Sequence, residues 1–365
     1  MLPGDIGTEI AGLIGAAVAA GDLPAAAAAH PAAGTWRPAP PEAGGGPGTY
    51  ATSLPFTLAA ACRRDHRELA GWLADGLTAV PWVSAAQATG GGFVTVTVST
   101  PCLAGVAARI AAAGPAAAAA SEGLVGVTVT APGLPDLAAA RDWGLAWRGQ
   151  RDALVGRLAG RAGAEVLALV TQRKRPRGSP SGPGPRPVAA AIADHGADAV
   201  RFALAATGTG DAGAIERRLC VPLDLRNPYV AVRYAHADAT STLRWAAALG
   251  LSGAEPGGQA DQAGQPPEPE SAELALLDAM SWLPERVAAA ARRGRPAELA
   301  GYLDEVAGAW LDCREACPAL PFGGRAAPAG PDGAQTAGRL GLAAAAAVTL
   351  AAGLALLGVH APARM

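Results

Sequence analysis

The sequence is poor in lysine, in aromatic residues and in net charge, and these shortages limit what the protein does. Lys174 is the only lysine, aromatic residues make up 4% of the chain, and the formal net charge is −2. A global basic field is therefore absent, so any binding of nucleic acid has to use local patches. The preference for arginine over lysine is typical of a high-GC genome rather than of a particular function.

Cysteine and histidine are too scattered to predict a metal site or a disulfide framework. Cys313 and Cys317 lie one helical turn apart, but no Cys-x-x-Cys or His-x-x-x-His pair accompanies them. We therefore interpret them as buried free thiols, and we expect no metal and no cofactor. Asp5 and Glu9 lie where a secretory signal would be basic or apolar. Reduced thiols and the lack of a signal predict a cytoplasmic protein.

The length of 365 residues allows two or three domains, and the first hundred residues predict a mixture of helices and strands. Apolar spacing predicts one helix around Ile6–Val18 and another at Pro55–Asp75. The proline- and glycine-rich segment 24–48 between them predicts a loop. Strands are predicted at Trp82–Gln87 and Phe93–Val98.

The middle of the chain predicts a small α/β unit followed by a cationic loop. The unit has a strand at Leu124–Thr130, a helix at Leu137–Arg161 and a strand at Glu165–Val170. Its predicted core consists of Leu145, Trp147, Leu154 and Leu158. The loop Thr171–Gly178 holds the strongest local run of positive charge, which is either a solvated linker or a clamp for phosphates.

The last part of the chain predicts an all-helical bundle. Helices are predicted at Ala197–Ala206, Pro228–Leu249, Ser271–Arg293, Pro296–Cys317 and Asp332–Leu357. The uncharged segment Leu340–Val359 is long enough to span a membrane. It lacks flanking basic and aromatic anchors, so we expect a buried closing helix and no membrane.

The helix predicted at Pro228–Leu249 has three distinct faces. The apolar face consists of Tyr229, Val232, His236, Ala239 and Leu243. The second face consists of Arg233, Thr240 and Arg244, and the third of Tyr234, Asp238, Ser241 and Trp245. The apolar face suits a bundle core, while the arginine and aromatic groups suit a polyanion with stackable bases. An ordinary bundle helix with a solvated face is the alternative.

This helix resembles the one that opens the anticodon-binding domain of arginyl-tRNA synthetases, with the pattern Asn-Pro-x-Tyr-x-Val-Gln-Tyr-Ala-His-Ala-Arg. The residues that match are Asn227, Pro228, Tyr234, Ala235, His236 and Ala237. Asp198–Arg201, which reads Asp-Ala-Val-Arg, is similar to the Asp-Ala-Leu-Arg (DALR) signature of this domain. The final Leu-Leu-Gly-Val-His-Ala-Pro-Ala-Arg-Met365 is similar to the family's closing Leu-Leu-Gly-Ile-x-Ala-Pro-Glu-Arg-Met.

The N-terminal region resembles the small additional domain that begins these synthetases. Its family motif Gly-Asp-Tyr-Ala-Thr-Asn is matched by Gly48, Tyr50, Ala51 and Thr52, with Thr49 and Ser53 as replacements. A second motif, Gly-Pro-Gly-Phe, is matched at Gly90, Gly92 and Phe93. The resemblance implies that this domain contacts the tRNA elbow through Tyr50 and Ser53. Packing of Tyr50 within a loop is the alternative.

The resemblance implies an α+β fold in three parts. These are a small α/β synthetase N-terminal-like domain over residues 1–100, a reduced α/β linker region over 101–195, and a DALR-type helical bundle over 196–365. In the family a large nucleotide-binding catalytic domain fills the middle, and 101–195 is too short to hold it. Its chemistry needs His-x-Gly-His and a Lys-Met-Ser-Lys-like loop, whereas every histidine here stands alone. The loop Thr171–Gly178 is interpreted as a remnant of the lysine-rich loop.

The resemblance also implies residues that grip the anticodon loop. The predicted contacts are Tyr234, Ala235, Tyr302 and Met365. Stacking of a tyrosine on an unpaired base contributes about 1–3 kcal/mol, and Arg233 and Arg244 are candidates for phosphate contacts. Asp238 replaces the family's arginine after the second alanine, so a carboxylate on this side is expected to weaken RNA binding.

Three functions follow as hypotheses, and no catalytic residue is assigned. The first is a tRNA-binding protein without aminoacylation activity, which contacts the anticodon stem-loop and the elbow. The second is a protein-interaction scaffold derived from a decayed synthetase. The third is residual arginine–tRNA ligase activity with ATP binding.

Overall fold

The computed structural model describes residues 3–29, 36–40, 44–169, 186–251, 268–320 and 331–365. The cationic loop Thr171–Gly178, with its predicted phosphate clamp, lies outside these residues.

The N-terminal part is a four-stranded antiparallel sheet covered by helices. Its helices are α1 (Pro3–Ala20), α2 (Leu54–Cys62) and α3 (His66–Thr78), with a short 3-10 helix at Ala25–Ala29. Its strands are β1 (Trp36–Pro38), β2 (Thr49–Thr52), β3 (Val83–Thr89) and β4 (Phe93–Val98), in the order β1-β2-β4-β3.

Two predictions for this part are wrong in detail. The segment 24–48 is not only loop, because it contains β1, which pairs with β2. The single helix predicted at 55–75 is two helices, because Arg63 adopts a left-handed φ of 52° and Asp65 caps α3 by accepting a 2.7 Å hydrogen bond from the Arg67 N–H. The apolar spacing continues across this break, so periodicity alone does not reveal it.

The middle part is a helix followed by a strand–helix–strand unit. Its elements are α4 (Thr100–Ala118), β5 (Thr128–Ala131), a short 3-10 helix at Leu137–Ala139, α5 (Trp143–Arg161) and β6 (Glu165–Ala168). The predicted order of strand, helix and strand is confirmed, and β5 pairs with β6 in parallel. Leu154 and Leu158 are buried as predicted, whereas Leu145 is on the outer face of α5 and 44% exposed. The alanine-rich α4 was not predicted.

The C-terminal part is an all-helical bundle, which confirms the α+β fold class. Its helices are α6 (Val188–His195), α7 (Ala197–Ala206), α8 (Ala212–Leu219), α9 (Pro228–Ala248), α10 (Ser271–Ser281), α11 (Leu283–Arg293), α12 (Pro296–Ala316) and α13 (Pro331–Leu357). The predicted helix at Ser271–Arg293 is divided at Trp282, where Pro284 begins a new first turn.

Helix α13 packs against α4, α9 and α12 and closes the bundle. Among the described residues, Thr100–Ala118 and Gly333–Leu357 are long and apolar enough to cross a membrane, with 28% and 67% of the apolar window buried. The large apolar residues of α4, Leu103, Val106 and Ile110, all face the core. The burial of α13 agrees with the predicted closing helix.

The N-terminal part docks on the bundle through β2. Tyr50 is fully buried, with its hydroxyl 3.4 Å from Ser281 Oγ and its ring edge-on to Trp282 at 5.3 Å between centroids. Beside it, the Gly48 N–H donates a 3.1 Å hydrogen bond to Asp278. This corrects the expectation that Tyr50 contacts RNA, because its side chain is enclosed between β2 and α10–α11 and burial raises its pKa well above the ordinary range.

The Asp-Ala-Val-Arg motif on α7 joins three parts of the chain. Asp198 accepts a 3.1 Å hydrogen bond from the His360 N–H after α13. Arg201 donates to Gln150 Oε1 of α5 at 2.9 Å, and the Gln150 amide donates to the Leu357 carbonyl at 3.4 Å. The motif therefore acts as an architectural element here, since it connects the bundle, the middle unit and the end of α13.

The last residues, 358–365, form a C-terminal tail that runs back along α9. His236 Nδ1 donates a 2.8 Å hydrogen bond to the Pro362 carbonyl, which can only accept. Arg244 Nη1 donates at 2.8 Å to the Ala363 carbonyl. These bonds place Met365 beside the polar face of α9.

Replacing Tyr50 with alanine is expected to lower the free energy of unfolding by about 3–5 kcal/mol, because a buried aromatic ring leaves a cavity. Tyr50→Phe removes only the hydroxyl contact and is expected to cost about 1 kcal/mol. Urea unfolding followed by circular dichroism measures both. Tyr234→Ala on the half-buried face of α9 is the matched control and is expected to cost about 1 kcal/mol or less. Equal losses at both tyrosines would contradict the docking role of Tyr50.

The protein is expected to lose stability in acid because of the buried His236. Burial lowers the pKa of His236 below its ordinary value of 6.5; the bond to Pro362 opposes this shift and His360 adds to it. The unfolded chain therefore binds a proton first as the pH falls, and stability is lost below about pH 6.5. His236→Gln does not titrate, so its stability deficit of about 1 kcal/mol near neutral pH is expected to shrink toward about pH 5.5.

Urea unfolding at a series of pH values measures this difference between the unmodified chain and the variant. His195→Gln is the control, because that imidazole lies at the end of α6 and is not among the groups that shift the pKa of His236. A deficit for His236→Gln that stays constant with pH would exclude the proposed titration.

Candidate nucleic-acid interface

One face of α9 forms the floor of an open groove. Tyr234, Asp238, Ser241 and Trp245 lie at steps of four, three and four residues, so their side chains share one stripe of the helix. Clefts of about 630 Å³ and about 690 Å³ adjoin this stripe on either side, and all of its residues line both. We call the stripe with its two clefts the α9 groove.

The two walls of the α9 groove come from distant parts of the sequence. The tail forms one wall with Arg364 and Met365, next to Arg244 of α9. The last turns of α12 form the other wall with Trp310 and Arg314. Residues far apart in the chain therefore meet at one surface, which helical periodicity by itself does not predict.

The start of α9 is held in a defined orientation. The Asn227 side chain caps the helix by accepting a 3.1 Å hydrogen bond from the Tyr229 N–H and donates at 3.3 Å to the Val221 carbonyl. Pro228 occupies the first turn, where its missing N–H has no partner to lose. The buried cap and the proline thus fix where α9 begins, which is the residue predicted from the sequence.

Aromatic and apolar side chains of the groove are open to solvent. Tyr234 is half-buried, whereas Trp245 is 62% exposed and Met365 is 64% exposed. The structure therefore brings the predicted Tyr234 and Met365 to one open surface. Trp245 was not predicted as a contact, although its position three helical turns after Tyr234 was available as a signal.

The two predicted arginines differ in their placement. Arg244 lines the groove and donates to Ser241 Oγ at 3.0 Å as well as to the tail. Arg233 is half-buried on another face, where it donates to the Tyr229 hydroxyl at 2.5 Å and lies 5.0 Å from the centre of that ring. Arg244 thus lies at the groove, and Arg233 does not.

Asp238 does not present a bare carboxylate to the groove, contrary to expectation. One of its oxygens accepts a hydrogen bond from Arg314, and the other accepts from the Trp310 indole N–H at 3.1 Å. Partial burial opposes the charge of Arg314, but Asp238 and the neighbouring Tyr234 hydroxyl outweigh it and raise the pKa of Arg314. The negative charge is therefore paired with a cation on the same surface.

Three other predicted contacts lie away from the groove. Tyr302 is only 3% exposed, and its hydroxyl donates to the Ala279 carbonyl at 2.8 Å. It shares the core face of α12 with Leu299 and Val306, so its ring is not accessible to a base. Ala235 is fully buried. Ser53 is half-buried before α2 and does not line the groove.

Comparison with known proteins finds similarity in the C-terminal part of the chain, which contains the α9 groove. Residues 232–365 match the family model of the DALR anticodon binding domain. Over 170 residues the chain is 37% identical to an arginine–tRNA ligase of Frankia alni and 35% identical to one of Pseudarthrobacter chlorophenolicus. Both matches cover 47% of this chain and 29% of the relative, so the chain matches less than a third of the length of these relatives.

The fold is similar to that of Thermus thermophilus arginyl-tRNA synthetase. The TM-score is 0.58 at 16% sequence identity, and the superposition covers 90% of this chain and 96% of that chain. At this identity the likeness concerns the fold alone. The C-terminal part of this chain therefore matches the DALR anticodon-binding domain, and the fold as a whole resembles that of arginyl-tRNA synthetase.

Proposed function

We propose that this chain is a tRNA-binding protein related to arginyl-tRNA synthetase, and that the α9 groove holds the anticodon loop. The observation that carries this proposal is the meeting of Tyr234, Trp245 and Met365 with Arg244 on one open surface within the matched domain. We place the protein in the cytoplasm, where tRNA is present.

The chemistry of the groove suits an RNA loop. Unpaired bases are recognised by stacking on aromatic rings, and phosphates are held by arginine. Tyr234 and Trp245 are eleven residues apart, which corresponds to about 16 Å along a helix. The two rings can therefore contact different bases of a single loop, while Arg244 lies between them in sequence.

Contact with the tRNA elbow has less support. Tyr50 is buried in the docking of β2, and only Ser53 of the predicted pair keeps partial exposure. Contact through Ser53 remains a prediction, and the proposal for the anticodon loop does not depend on it.

We also propose that the chain does not charge tRNA. Adenylate chemistry in the family uses paired histidines, and none of the histidines in this sequence has another within four residues. In the described part of 101–195, the β-structure consists of the parallel pair β5 and β6. The small size of this unit favours a protein that binds tRNA but does not aminoacylate it.

A protein-interaction scaffold is the second candidate, and exposed leucines favour it. Leu225 lines the groove and is 52% exposed, and Leu223 beside it is 78% exposed. Clustered exposed apolar residues mark interaction surfaces. In this hypothesis the α9 groove binds a protein rather than RNA.

The purified chain is expected to retain tRNA on a filter at about 50 mM salt and to lose most of it at about 200 mM, because phosphate contacts release counterions. Trp245→Ala and Tyr234→Ala are each expected to weaken binding about 5- to 150-fold, since one stacked base contributes about 1–3 kcal/mol. The measurement is a filter-binding titration with arginine-accepting tRNA.

The control for these variants is Leu167→Ala, an exposed apolar truncation on β6 that leaves the groove unchanged. No retention at the lower salt concentration would remove the proposed function. Recovery of a defined protein partner but no RNA from cells, lost with Trp245→Ala, would support the scaffold instead.

The chain is expected to show no arginine-dependent exchange of pyrophosphate into ATP, because the histidines that support adenylate formation in the family are missing from the sequence. The assay uses arginine, ATP and labelled pyrophosphate with tRNA present, and a complete arginyl-tRNA synthetase as the positive control. Exchange above the level without arginine would show residual ligase activity.

A further inference from the structure

We propose that Asp238 is a positioning residue that orients Arg314 toward an RNA phosphate in the α9 groove. A carboxylate on this surface then strengthens RNA binding, although its own charge repels phosphate. The inference rests on the proposed function and adds Arg314 to the residues that contact RNA. It also predicts that Asp238 strengthens RNA binding, whereas its charge alone would predict that it weakens binding.

Asp238 is itself held in place by the bundle core. Its Oδ2 accepts the 3.1 Å hydrogen bond from the Trp310 indole N–H, and Trp310 is almost fully buried. The Asp238 side chain is only 15% exposed. The carboxylate is therefore fixed against α12, and its other oxygen, Oδ1, is directed to Arg314.

Arg314 is the partner that faces solvent. It lies in the last turn of α12, and its side chain is 42% exposed, compared with 15% for Asp238. A guanidinium has five N–H donors in a planar fork, so its contacts with Asp238 and Tyr234 leave donors for a ligand. A phosphate that enters the groove therefore meets Arg314 before it meets the carboxylate.

Two effects of Asp238 oppose each other, and they predict opposite results. Its charge repels a phosphate, but the more exposed Arg314 and the surrounding water screen that repulsion. Its hydrogen bond removes rotamer freedom from a long side chain before RNA binds, which lowers the cost of binding. The geometry favours the second effect, because Asp238 acts on Arg314 by direct contact.

The fixed guanidinium also adjoins Tyr234, so a phosphate on Arg314 is next to the ring on which a base would stack. Glu315 also lines this cleft. Without Asp238, the Arg314 side chain could pair with Glu315 instead and turn away from the ligand. Asp238 thus holds Arg314 in the one orientation in which its guanidinium lies beside Tyr234 of α9.

The test is filter binding of arginine-accepting tRNA by the full chain and by Asp238→Asn, Arg314→Gln and the double variant. Asparagine keeps an oxygen to accept from Trp310, but it removes the charge and replaces the oxygen that accepts from Arg314 with a donating NH2 group. We expect Asp238→Asn to weaken binding about 3- to 10-fold, as the loss of a preorganised contact implies. Arg314→Gln is expected to weaken binding at least as much and to lower the salt slope by about 1.

The double variant is expected to bind no more weakly than Arg314→Gln alone, because Asp238 acts only through Arg314. Glu298→Gln is the matched control, since it neutralises the carboxylate of another arginine pair at the opposite end of α12. Its RNA affinity is expected to be unchanged. If Asp238 had a merely structural role, the double variant would bind RNA more weakly than Arg314→Gln, because the two losses of affinity would add.

Unchanged or tighter binding by Asp238→Asn would overturn this inference while leaving the proposed function intact. Arg314→Gln does not touch the bond to Trp310, so it decides the question if Asp238→Asn does not fold: affinity equal to that of the unmodified chain would overturn the inference. No tRNA binding by the unmodified chain would remove both the proposed function and the inference.

Discussion

The close packing of α9 against α13 is the contact on which the rest of the C-terminal part depends. Both helices present small side chains to each other and to the core, and Ala235, Ala239, Ala343 and Ala346 are fully buried. Small residues let helix axes approach closely, so an alanine-rich sequence with few aromatic residues still forms a dense core. Once α13 is fixed there, the chain that follows it has to return along α9.

The returning tail turns a bundle helix into a binding surface. Asp198, His236 and Arg244 each bind the backbone of the tail, through three separate hydrogen bonds. Backbone partners do not depend on which side chains the tail carries, so these bonds set its path rather than its chemistry. The chemistry comes from Met365 and Arg364, which this path delivers to the edge of the groove.

The residues that resemble a known family divide into two kinds. Asp198, Arg201 and His236 hold elements together, and Tyr50 and Tyr302 pack between elements. Tyr234 and Met365 are open to solvent in the groove. A motif therefore identifies a domain even where most of its residues are structural, and the accessible minority is what a ligand meets.

The sequence by itself determined the long helices of the C-terminal bundle, the order of strand and helix in the middle unit, and the α+β class, because these follow from local spacing of apolar residues. It also located Tyr234 and the chain end through their motifs. It did not predict α4, α6 or α8. It missed the breaks at Arg63 and Trp282, because the apolar spacing continues through both.

Only the tertiary structure decided which aromatic residues are accessible and how charge is paired. Tyr302 and Trp245 are both aromatic residues on long helices, yet one faces α10 and the other faces solvent. The carboxylate of Asp238 is neutralised by Arg314, which is 76 residues away in the chain. Burial and pairing depend on what packs against a side chain, and that partner is set by the fold rather than by neighbouring residues.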